Sequence, residues 1–303
     1  MKKILIIGGG ISAERKISLE TAKQVKNTLK KKYKVLQVDF DKNFQNRLNL
    51  FKPHIVFNAL HGRFGEDGYM QRILEFNKVK YTHSGVLSSA LAMDKIVSKK
   101  IFIKNSILTP RFLSVKNNLK NIKILKKKIK KKLNFPVVIK PINEGSSVGV
   151  FICNENNLKK NLNKLRNYKE ILIEEYIGGR EIQVAILGKK KLGAIELIPK
   201  RKFYDYKAKY YSNSKTEHIM PVNLTKKNLN KVLNIAFKAH KILKCRGVTR
   251  SDFKFYKNKF YLLELNTQPG MTKMSLVPEI AAFKGISFPN LLDRILKDAS
   301  IKK

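Results

Sequence analysis

Apolar residues in the first ninety positions fall into short runs. Continuous runs at 4–7, 35–38 and 55–60 predict buried β-strands. Residues 18–32 instead have apolar side chains at helical spacing. These are Leu19, Ala22, Val25 and Leu29. Strand and helix signals that alternate in this way predict an open parallel sheet with helices on its faces.

The first helix has a predicted start. Ser18 stands just before the first apolar position, and a serine there caps a helix by accepting a hydrogen bond from its first turn. Residues 8–17 then form a loop at the carboxyl end of the first strand. Ligands bind at this edge in open parallel sheets.

The later part of the chain has more strand signals than helix signals. Its predicted strands are 136–140, 171–174, 182–187, 192–197 and a hairpin over 248–265. A helix is predicted around 229–243. Residues 203–214 are polar, rich in tyrosine and without periodicity, which is typical of a functional lid loop.

Composition indicates a globular protein. With 303 residues and 43% hydrophobic residues, the chain can form two or three packed subdomains, and a disordered chain is excluded. A net charge of +42 would by itself suggest a nucleic-acid partner. The lysines are spread along the chain, however, and their densest run, 120–132, has an apolar stripe and no interleaved aromatic residues. We interpret this run as the basic outer face of a structural helix and expect no nucleic-acid partner.

Signals for export or membrane insertion are weak. A basic start is followed by the apolar run 4–7, but this run stops at Gly8 and is too short for a signal peptide. No later segment is apolar enough to span a bilayer. Cys153 and Cys245 have no Cys or His partner at metal-binding spacing, so we expect reduced thiols. A cytoplasmic location without membrane attachment is predicted.

Residues 8–13 match a dinucleotide-binding pattern. The segment Gly-Gly-Gly-Ile-Ser-Ala follows a strand, and Asp39 ends the next one. The predicted helix begins at Ser18 and not within the glycines, so a pyrophosphate would lack the helix N-terminus that it needs. A nicotinamide site is therefore the weaker alternative.

A second glycine-containing loop follows the strand 136–140. Lys140 ends this strand, and Glu144-Gly145-Ser146-Ser147-Val148-Gly149 comes next. Small residues let backbone N–H groups approach phosphate oxygens, and a lysine adds a positive charge. The pattern indicates a nucleotide phosphate loop; the alternative is a plain turn between two strands.

The hairpin 248–265 carries the most informative polar residues. If its turn centres on Asn258, Asp252 lies opposite Glu264 and Arg250 lies opposite Asn266, with all four side chains on one face. Such oxygen ligands suit Mg²⁺ that bridges nucleotide phosphates. The opposite face, with Phe253, Phe255, Leu263 and Leu265, is predicted to join the core. The alternative is an exposed strand face with ordinary salt bridges.

Three further loops contain candidate binding groups. In the turn 267–272, Gly270 could present its backbone N–H to an oxyanion, and Ser275 lies just beyond. The loops 12–15 and 61–68 contribute Glu14 and His61, an acid and an imidazole that could hold an amino acid. Each of these residues could equally be an ordinary loop residue.

Taken in order, these segments resemble the D-alanine:D-alanine ligases of the ATP-grasp superfamily from end to end. The matching segments are GGGISAER at 8–15, LHGRFGEDG at 60–68, AMDK at 92–95, VVIKP at 137–141, EGSSVG at 144–149, FYDYKAKY at 203–210 and ELNTQPGMT at 264–272. The resemblance implies an α/β fold with an N-terminal parallel-sheet domain and two ATP-grasp subdomains with largely antiparallel sheets. The implied domains are 1–93, which binds substrate, 94–181, and 182–303, which binds metal.

The resemblance also implies a role for each site residue. Glu14, assisted by His61, would orient the first D-alanine, and Glu14, Ser146 and Tyr210 would form a hydrogen-bonded set. Arg250 and the Gly270 N–H would form the oxyanion site, and Ser275 and Leu276 would receive the second substrate. The implied nucleotide-binding residues are Lys95, Lys140, Glu144, Ser147, Glu174, Glu175, Tyr176, Ile177, Glu181 and Lys209. The implied ligands of two Mg²⁺ or Mn²⁺ ions are Asp252, Glu264 and Asn266.

The implied reaction uses ATP to phosphorylate one D-alanine, and the amine of the second then attacks the acylphosphate, which yields a peptidoglycan precursor. A homodimer is implied too. Glu175 departs from the lysine that many relatives carry at that position, and Tyr210 favours an amine nucleophile. Other ATP-grasp ligases, including those that form D-alanyl-D-lactate, are the chief alternative, and a basic nucleic-acid-binding protein is a remote one.

Overall fold

A computed structural model describes residues 1–117, 121–199, 216–272 and 274–301. The strands of this part of the chain are β1 (Lys3–Gly8), β2 (Lys34–Asp39), β3 (Ile55–Asn58), β4 (Lys80–Tyr81), β5 (Phe112–Lys116), β6 (Val137–Pro141), β7 (Phe151–Cys153), β8 (Glu170–Glu175), β9 (Arg180–Leu187), β10 (Lys190–Ile198), β11 (Glu217–Ile219), β12 (Val248–Tyr256) and β13 (Lys259–Asn266). The helices are α1 (Arg15–Leu29), α2 (Phe44–Phe51), α3 (Tyr69–Phe76), α4 (Val86–Met93), α5 (Lys95–Lys104), α6 (Ile122–Lys132), α7 (Leu158–Lys164), α8 (Lys226–Ile242), α9 (Leu276–Phe283) and α10 (Phe288–Lys297).

The first sheet is open and parallel, as predicted. Its strand order is β2-β1-β3-β4, and each neighbouring pair is parallel. The central strand β1 is buried on both faces: Ile4 and Ile6 pack into one hydrophobic cluster, and Leu5 and Ile7 pack into another. A strand covered on both sides needs a continuous apolar run, which explains the pattern at 4–7.

The predicted start of α1 was wrong. The helix begins at Arg15, and Ser18 lies inside its first turn. Ser18 is buried, and its Oγ accepts a hydrogen bond from the Gly9 N–H at 2.8 Å and donates one to the Ala59 carbonyl at 2.8 Å. The serine therefore ties the glycine loop to the end of β3 instead of capping the helix.

Two antiparallel sheets follow, which confirms the predicted fold class. One has the order β5-β8-β6-β7 and the other β11-β10-β9-β12-β13. The lysine-rich α6 packs on the first of them through Ile129. Its lysines stand mostly on the exposed side, as the apolar stripe predicted.

One hydrophobic cluster connects the parallel sheet to the last part of the chain. It contains Ile4 and Ala22 from β1 and α1, together with Ala185 from β9 and Ile280 from α9. The first and third of the predicted domains therefore share a core. The domain limits at 93 and 181 stay a prediction. The first lies between the parallel sheet, which spans 3–81, and the second sheet, which spans 112–175, whereas the second falls within β9 at the start of the third sheet.

In the part of the chain that the structure describes, every helix is too short or too polar to cross a bilayer.

Two buried histidines should make the fold sensitive to acid. Burial lowers the pKa of His83 to about 3 and the pKa of His240 to about 4. Between pH 6.5 and these values the unfolded chain binds protons that the folded protein does not, so the free energy of unfolding falls as the pH falls. The expected slope is about 1.4 kcal/mol per pH unit for each histidine.

Denaturant titrations from pH 7 to pH 4 check this. The substitution His240→Gln should remove one histidine's share of the slope, whereas His54→Gln, at an exposed position, should leave the slope unchanged. Equal slopes for the wild type and His240→Gln would contradict the assignment.

Candidate active site

The strands β12 and β13 gather the polar residues of the site on one face. Asp252 lies opposite Glu264, and Arg250 lies opposite Asn266, as predicted. The route to this register differs from the prediction. The turn consists of Lys257 and Asn258, both with positive φ, and the register shifts by one residue between Asp252 and Phe253. This bulge restores the pairing that a turn centred on Asn258 would have produced.

The bulge also corrects the prediction for Leu263. Leu263 was expected on the core face, but it is the additional residue of β13 and lines a cleft beside the polar face. Phe253 and Leu265 are buried in the core as predicted, and Phe255 packs against it. A bulge redirects a side chain in this way because it shifts the two-residue alternation by one position.

The predicted metal ligands already have protein partners. Arg250 donates to both carboxylate oxygens of Asp252, at 2.8 and 2.9 Å, and to Gln183 Oε1 at 3.0 Å. Glu264 Oε2 lies 3.7 Å from Lys95 Nζ. Within the described residues no cluster of three or more His, Cys, Asp and Glu side chains could hold a metal. The predicted ligands Asp252, Glu264 and Asn266 are compatible with this finding, because only two of them are carboxylates and Asn is not among the four residue types. Mg²⁺ usually takes its other ligands from phosphate and water.

A cleft of about 740 Å³ lies between the two antiparallel sheets. Its lining includes every predicted nucleotide-binding residue except Lys209, together with Asp252, Glu264, Val138, Val150, Lys254 and Leu263. One part is apolar and suits a flat aromatic base, and another carries lysines that suit phosphates. The lining of the cleft is consistent with the predicted nucleotide site.

The phosphate end of this cleft has buried charges. Lys140 Nζ lies 2.6 Å from Glu174 Oε1, and Lys99 Nζ lies 2.8 Å from Glu174 Oε2. Burial alone would raise the pKa of Glu174, but the two lysines hold it below its ordinary value. Burial lowers the pKa of Lys95, although the nearby Glu264 opposes this shift. Lys95 also donates to the Glu144 carbonyl and so fixes the Gly-Ser loop.

The predicted adenine hinge at the end of β8 is held by two contacts. The Tyr176 N–H donates to the Pro136 carbonyl at 3.3 Å. The backbone N–H of Arg111 donates to Glu175 Oε1 at 2.9 Å, and the Nε of the same arginine donates to Glu175 Oε2 at 2.8 Å. Glu175, which stands where many relatives carry lysine, therefore forms an ion pair with Arg111 at the rim of the cleft. At the cleft's other side, Glu181 lies 3.1 Å from Lys254 Nζ.

A second cavity of about 510 Å³ adjoins the cleft and shares Lys95, Glu144 and Glu264 with it. Glu14 lines it and accepts a hydrogen bond from the Ser146 hydroxyl, as the resemblance implied. A Cβ on Gly62 or Gly145 would lie only 2.6 or 2.7 Å from Glu14 Oε2, so glycine at both positions leaves room for this carboxylate. The polar lining of this cavity suits an amino acid.

His61 lies beside this cavity and is held on both ring nitrogens. Nε2 is 3.0 Å from Thr21 Oγ1, and Nδ1 is 3.3 Å from Glu66 Oε1. The predicted oxyanion loop is close by, since a Cβ on Gly270 would lie 3.9 Å from His61 Nε2.

The predicted site for the second substrate lies at the start of α9. Ser275 Oγ accepts from the Thr272 N–H at 2.9 Å. The Leu276 side chain is buried in the core, so only its backbone could contact a substrate. Neither residue lines the two cavities. Tyr210, Lys209 and the predicted lid 203–214 lie outside the described residues, and their roles stay predictions.

Sequence reasoning missed four residues of the site. Lys254 lines the nucleotide cleft, Glu66 lines the second cavity, and Gln183 bonds to Arg250. Lys99, fully buried, bonds to Glu174. The signal for Lys99 was its position four residues after Lys95 on a helix, which places both on one face. Gln183 could not be found in this way because its strand pairs with β12 only in the folded sheet.

The dinucleotide pattern at 8–13 has a different role. Asp39 Oδ1 accepts from the Gly10 N–H at 2.9 Å and from Arg15 at 3.0 Å. A Cβ on Gly9 would lie 2.2 Å from the same oxygen. The acid that a dinucleotide fold would use for ribose is thus bonded to the glycine loop itself.

Comparisons with known proteins agree on one family. The family model described as "D-ala D-ala ligase C-terminus" matches residues 104–297. A D-alanine–D-alanine ligase of Pelagibacter ubique (strain HTCC1062) is 63% identical over 303 residues, which cover 100% of this chain and 99% of the relative.

Solved structures give the same result. The D-alanine–D-alanine ligase of Bacillus anthracis superposes with a TM-score of 0.86 at 33% identity, covering 98% of this chain and 97% of the other. The Bacillus anthracis enzyme complexed with ATP superposes with a TM-score of 0.83 at 28% identity, over the same shares of both chains.

The apolar wall of the cleft can be tested by filling it. Val138 lines the cleft, so Val138→Phe should occupy space that a base would use and weaken ATP binding by about tenfold or more. Ile152 is its cross-strand neighbour on β7 but does not line the cleft, so Ile152→Phe is the matched control. Calorimetric titration with ATP measures both; unchanged affinity in Val138→Phe would place the base elsewhere.

Proposed function

Because the chain belongs to the D-alanine–D-alanine ligase family, we propose that it joins two D-alanine molecules to D-alanyl-D-alanine with hydrolysis of ATP to ADP and phosphate. The product serves peptidoglycan precursor synthesis. One observation supports this most directly: the carboxylates of Asp252 and Glu264 face the same cleft as the buried Lys95 and Lys140. Oxygen donors and lysines together suit a nucleotide triphosphate with its metal.

In this proposal ATP lies in the 740 Å³ cleft. The base contacts the apolar wall and the backbone of the hinge from Glu174 to Ile177, while the Glu174 side chain contacts Lys140 and Lys99. Glu181 bonds to the ribose. Lys95 and Lys140 bind phosphate oxygens and offset charge on the phosphoryl group as it is transferred. Ser147 and Glu144 hold the loop beside the phosphates.

Asp252, Glu264 and Asn266 would hold Mg²⁺ or Mn²⁺, with two ions expected. A bound metal would supply positive charge that offsets the negative charge of the phosphates. Arg250 and Lys95 now offset the charge of the two carboxylates. With their carboxylate partners holding a metal, Arg250 and Lys95 would be able to contact substrate oxygens.

The first D-alanine is placed in the smaller cavity next to Glu14. Glu14 holds its ammonium group, with His61 nearby, so that its carboxylate points to the transferring phosphoryl group. The carboxylate oxygen attacks the γ-phosphorus, and ADP leaves. The amine of the second D-alanine, held at Ser275 and the backbone of Leu276, then attacks the acyl carbon and expels phosphate.

Arg250 and the Gly270 N–H stabilise the oxyanion that forms in this second step. Donors fixed before the reaction are effective because they need no reorganisation as the charge develops. Gln183 and Asp252 fix the Arg250 guanidinium. The homodimer implied by the resemblance is also part of the proposal.

Phosphate release tests the function. With ATP, Mg²⁺ and D-alanine, the protein should release phosphate and form the dipeptide; with L-alanine it should not. Adding D-lactate to D-alanine separates this enzyme from an ester-forming ligase, since a D-alanine ligase gives only the dipeptide. Phosphate release with L-alanine alone would remove the assignment.

The metal site has its own test. Glu264→Ala should lower turnover by at least about 100-fold because it removes a ligand and the charge that balances Lys95. The fold should survive, since Glu264 is partly exposed. Glu155→Ala, which removes a carboxylate paired with Lys130 far from the cleft, is the control and should turn over normally. Near-normal turnover of Glu264→Ala would contradict the metal assignment.

A further inference from the structure

Three charged side chains meet behind the phosphate end of the nucleotide cleft. The Glu174 carboxylate is shared by Lys140 at 2.6 Å and Lys99 at 2.8 Å, and all three side chains are buried. Lys140 and Glu174 line the cleft, whereas Lys99 does not. Among the described residues that line the cleft, Lys99 forms an ion pair with Glu174.

Lys99 is held from several elements. Its Nζ donates to Thr109 Oγ1 at 2.7 Å, and the Phe112 ring of β5 lies 5.7 Å from the same nitrogen. Besides Glu174 on β8, the charged groups that influence it are Lys140 on β6 and Glu264 on β13. A fully buried cation is costly, so this position needs a specific role or partner.

The balance of charge among Lys99, Lys140 and Glu174 indicates a role for Lys99. Lys99 and Lys140 bring two positive charges to one negative charge on Glu174, which leaves one positive charge in excess. Without Lys99, Glu174 would neutralise Lys140 alone. The lysine that faces the cleft would then have little attraction left for an anion.

We propose that Lys99 is a positioning residue that neutralises Glu174 and so keeps the charge of Lys140 available to the phosphates of a bound nucleotide. This rests on the proposed function, because it takes ATP as the ligand of the cleft. Lys99 acts at no reacting atom. Lys140 stays in contact with Glu174, and Lys99 sets the affinity for ATP through the excess positive charge that the three side chains present to phosphate.

The charge balance predicts a dependence on pH. Burial lowers the pKa of Lys99 to about 8, although Glu174 opposes this shift. Lys99 is therefore protonated below pH 8 and loses its charge as the pH rises through that value. Affinity for ATP should fall over the same range.

The test measures ATP affinity by calorimetry with Mg²⁺ and without D-alanine, at pH 7.5. Lys99→Met should raise the dissociation constant for ATP on the order of tenfold. The double variant Lys99→Met/Glu174→Gln removes both charges and leaves Lys140 unpaired, so its affinity should return to within about threefold of the wild type. Lys100→Met removes an exposed lysine from the next position of α5 and should bind ATP as the wild type does.

A purely structural Lys99 would give a different pattern. Its loss would not be repaired by a second change that removes another buried hydrogen-bonding group. The proposal is overturned if Lys99→Met binds ATP normally, or if the double variant binds as weakly as Lys99→Met. If Lys99→Met does not fold, the double variant alone decides: near-normal ATP affinity supports the proposal, and weak binding refutes it.

The pH profile adds a second readout. Between pH 7.5 and 9.5 the dissociation constant of the wild type should rise more steeply than that of the double variant; parallel curves would refute the proposal. These measurements also distinguish the inference from the proposed function. If the wild type binds ATP but forms no dipeptide, the proposed function is wrong, and the comparison of ATP affinities still tests the role of Lys99.

Discussion

The position of β12 between β9 and β13 is the constraint on which the site depends. Its pairing with β13 sets Asp252 opposite Glu264, and its pairing with β9 sets Asp252 opposite Gln183. A shift of one residue in either pairing would turn the carboxylates into the core. The bulge at Leu263 secures this register and adds an apolar side chain to the nucleotide cleft.

Charge balance is the second constraint. Four cations and three anions meet at the phosphate end of the cleft, and most of them are buried: Lys95, Lys99, Lys140 and Arg250 with Glu174, Asp252 and Glu264. Buried ions are stable only when they are paired, so each must have its partner before ligands arrive. In the proposed reaction, substrate and metal would replace some of these partners. The lysines of the site are therefore accounted for by the carboxylates that they contact.

Much of the fold follows from local pattern. The apolar runs and the helical spacing predicted the parallel sheet, and the two-residue alternation of the hairpin predicted that Asp252 and Glu264 lie together. The predictions that were wrong depended on contacts between residues that are distant in sequence. Ser18 is a good N-cap locally, but bonds to Gly9 and Ala59 use its hydroxyl elsewhere. Leu263 matched the core pattern, but a bulge shifted the alternation.

Site residues that are neighbours in sequence could be predicted, whereas site residues that come together only in the folded structure could not. The loop 144–149 was predicted from its local pattern and the hinge after β8 from the resemblance, whereas the contact of Lys99 with Glu174 joins a helix to a strand seventy-five positions later. Only folding brings them together. The roles given to Tyr210 and Lys209 still rest on resemblance.

A crystal structure with ADP and Mg²⁺ tests the central claim most directly. The account predicts metal between the diphosphate and the face of β12 and β13, with oxygens of Asp252, Glu264 and Asn266 at about 2.0–2.1 Å from magnesium. Metal bound away from these strands, with the two carboxylates still paired to Arg250 and Lys95, would contradict it.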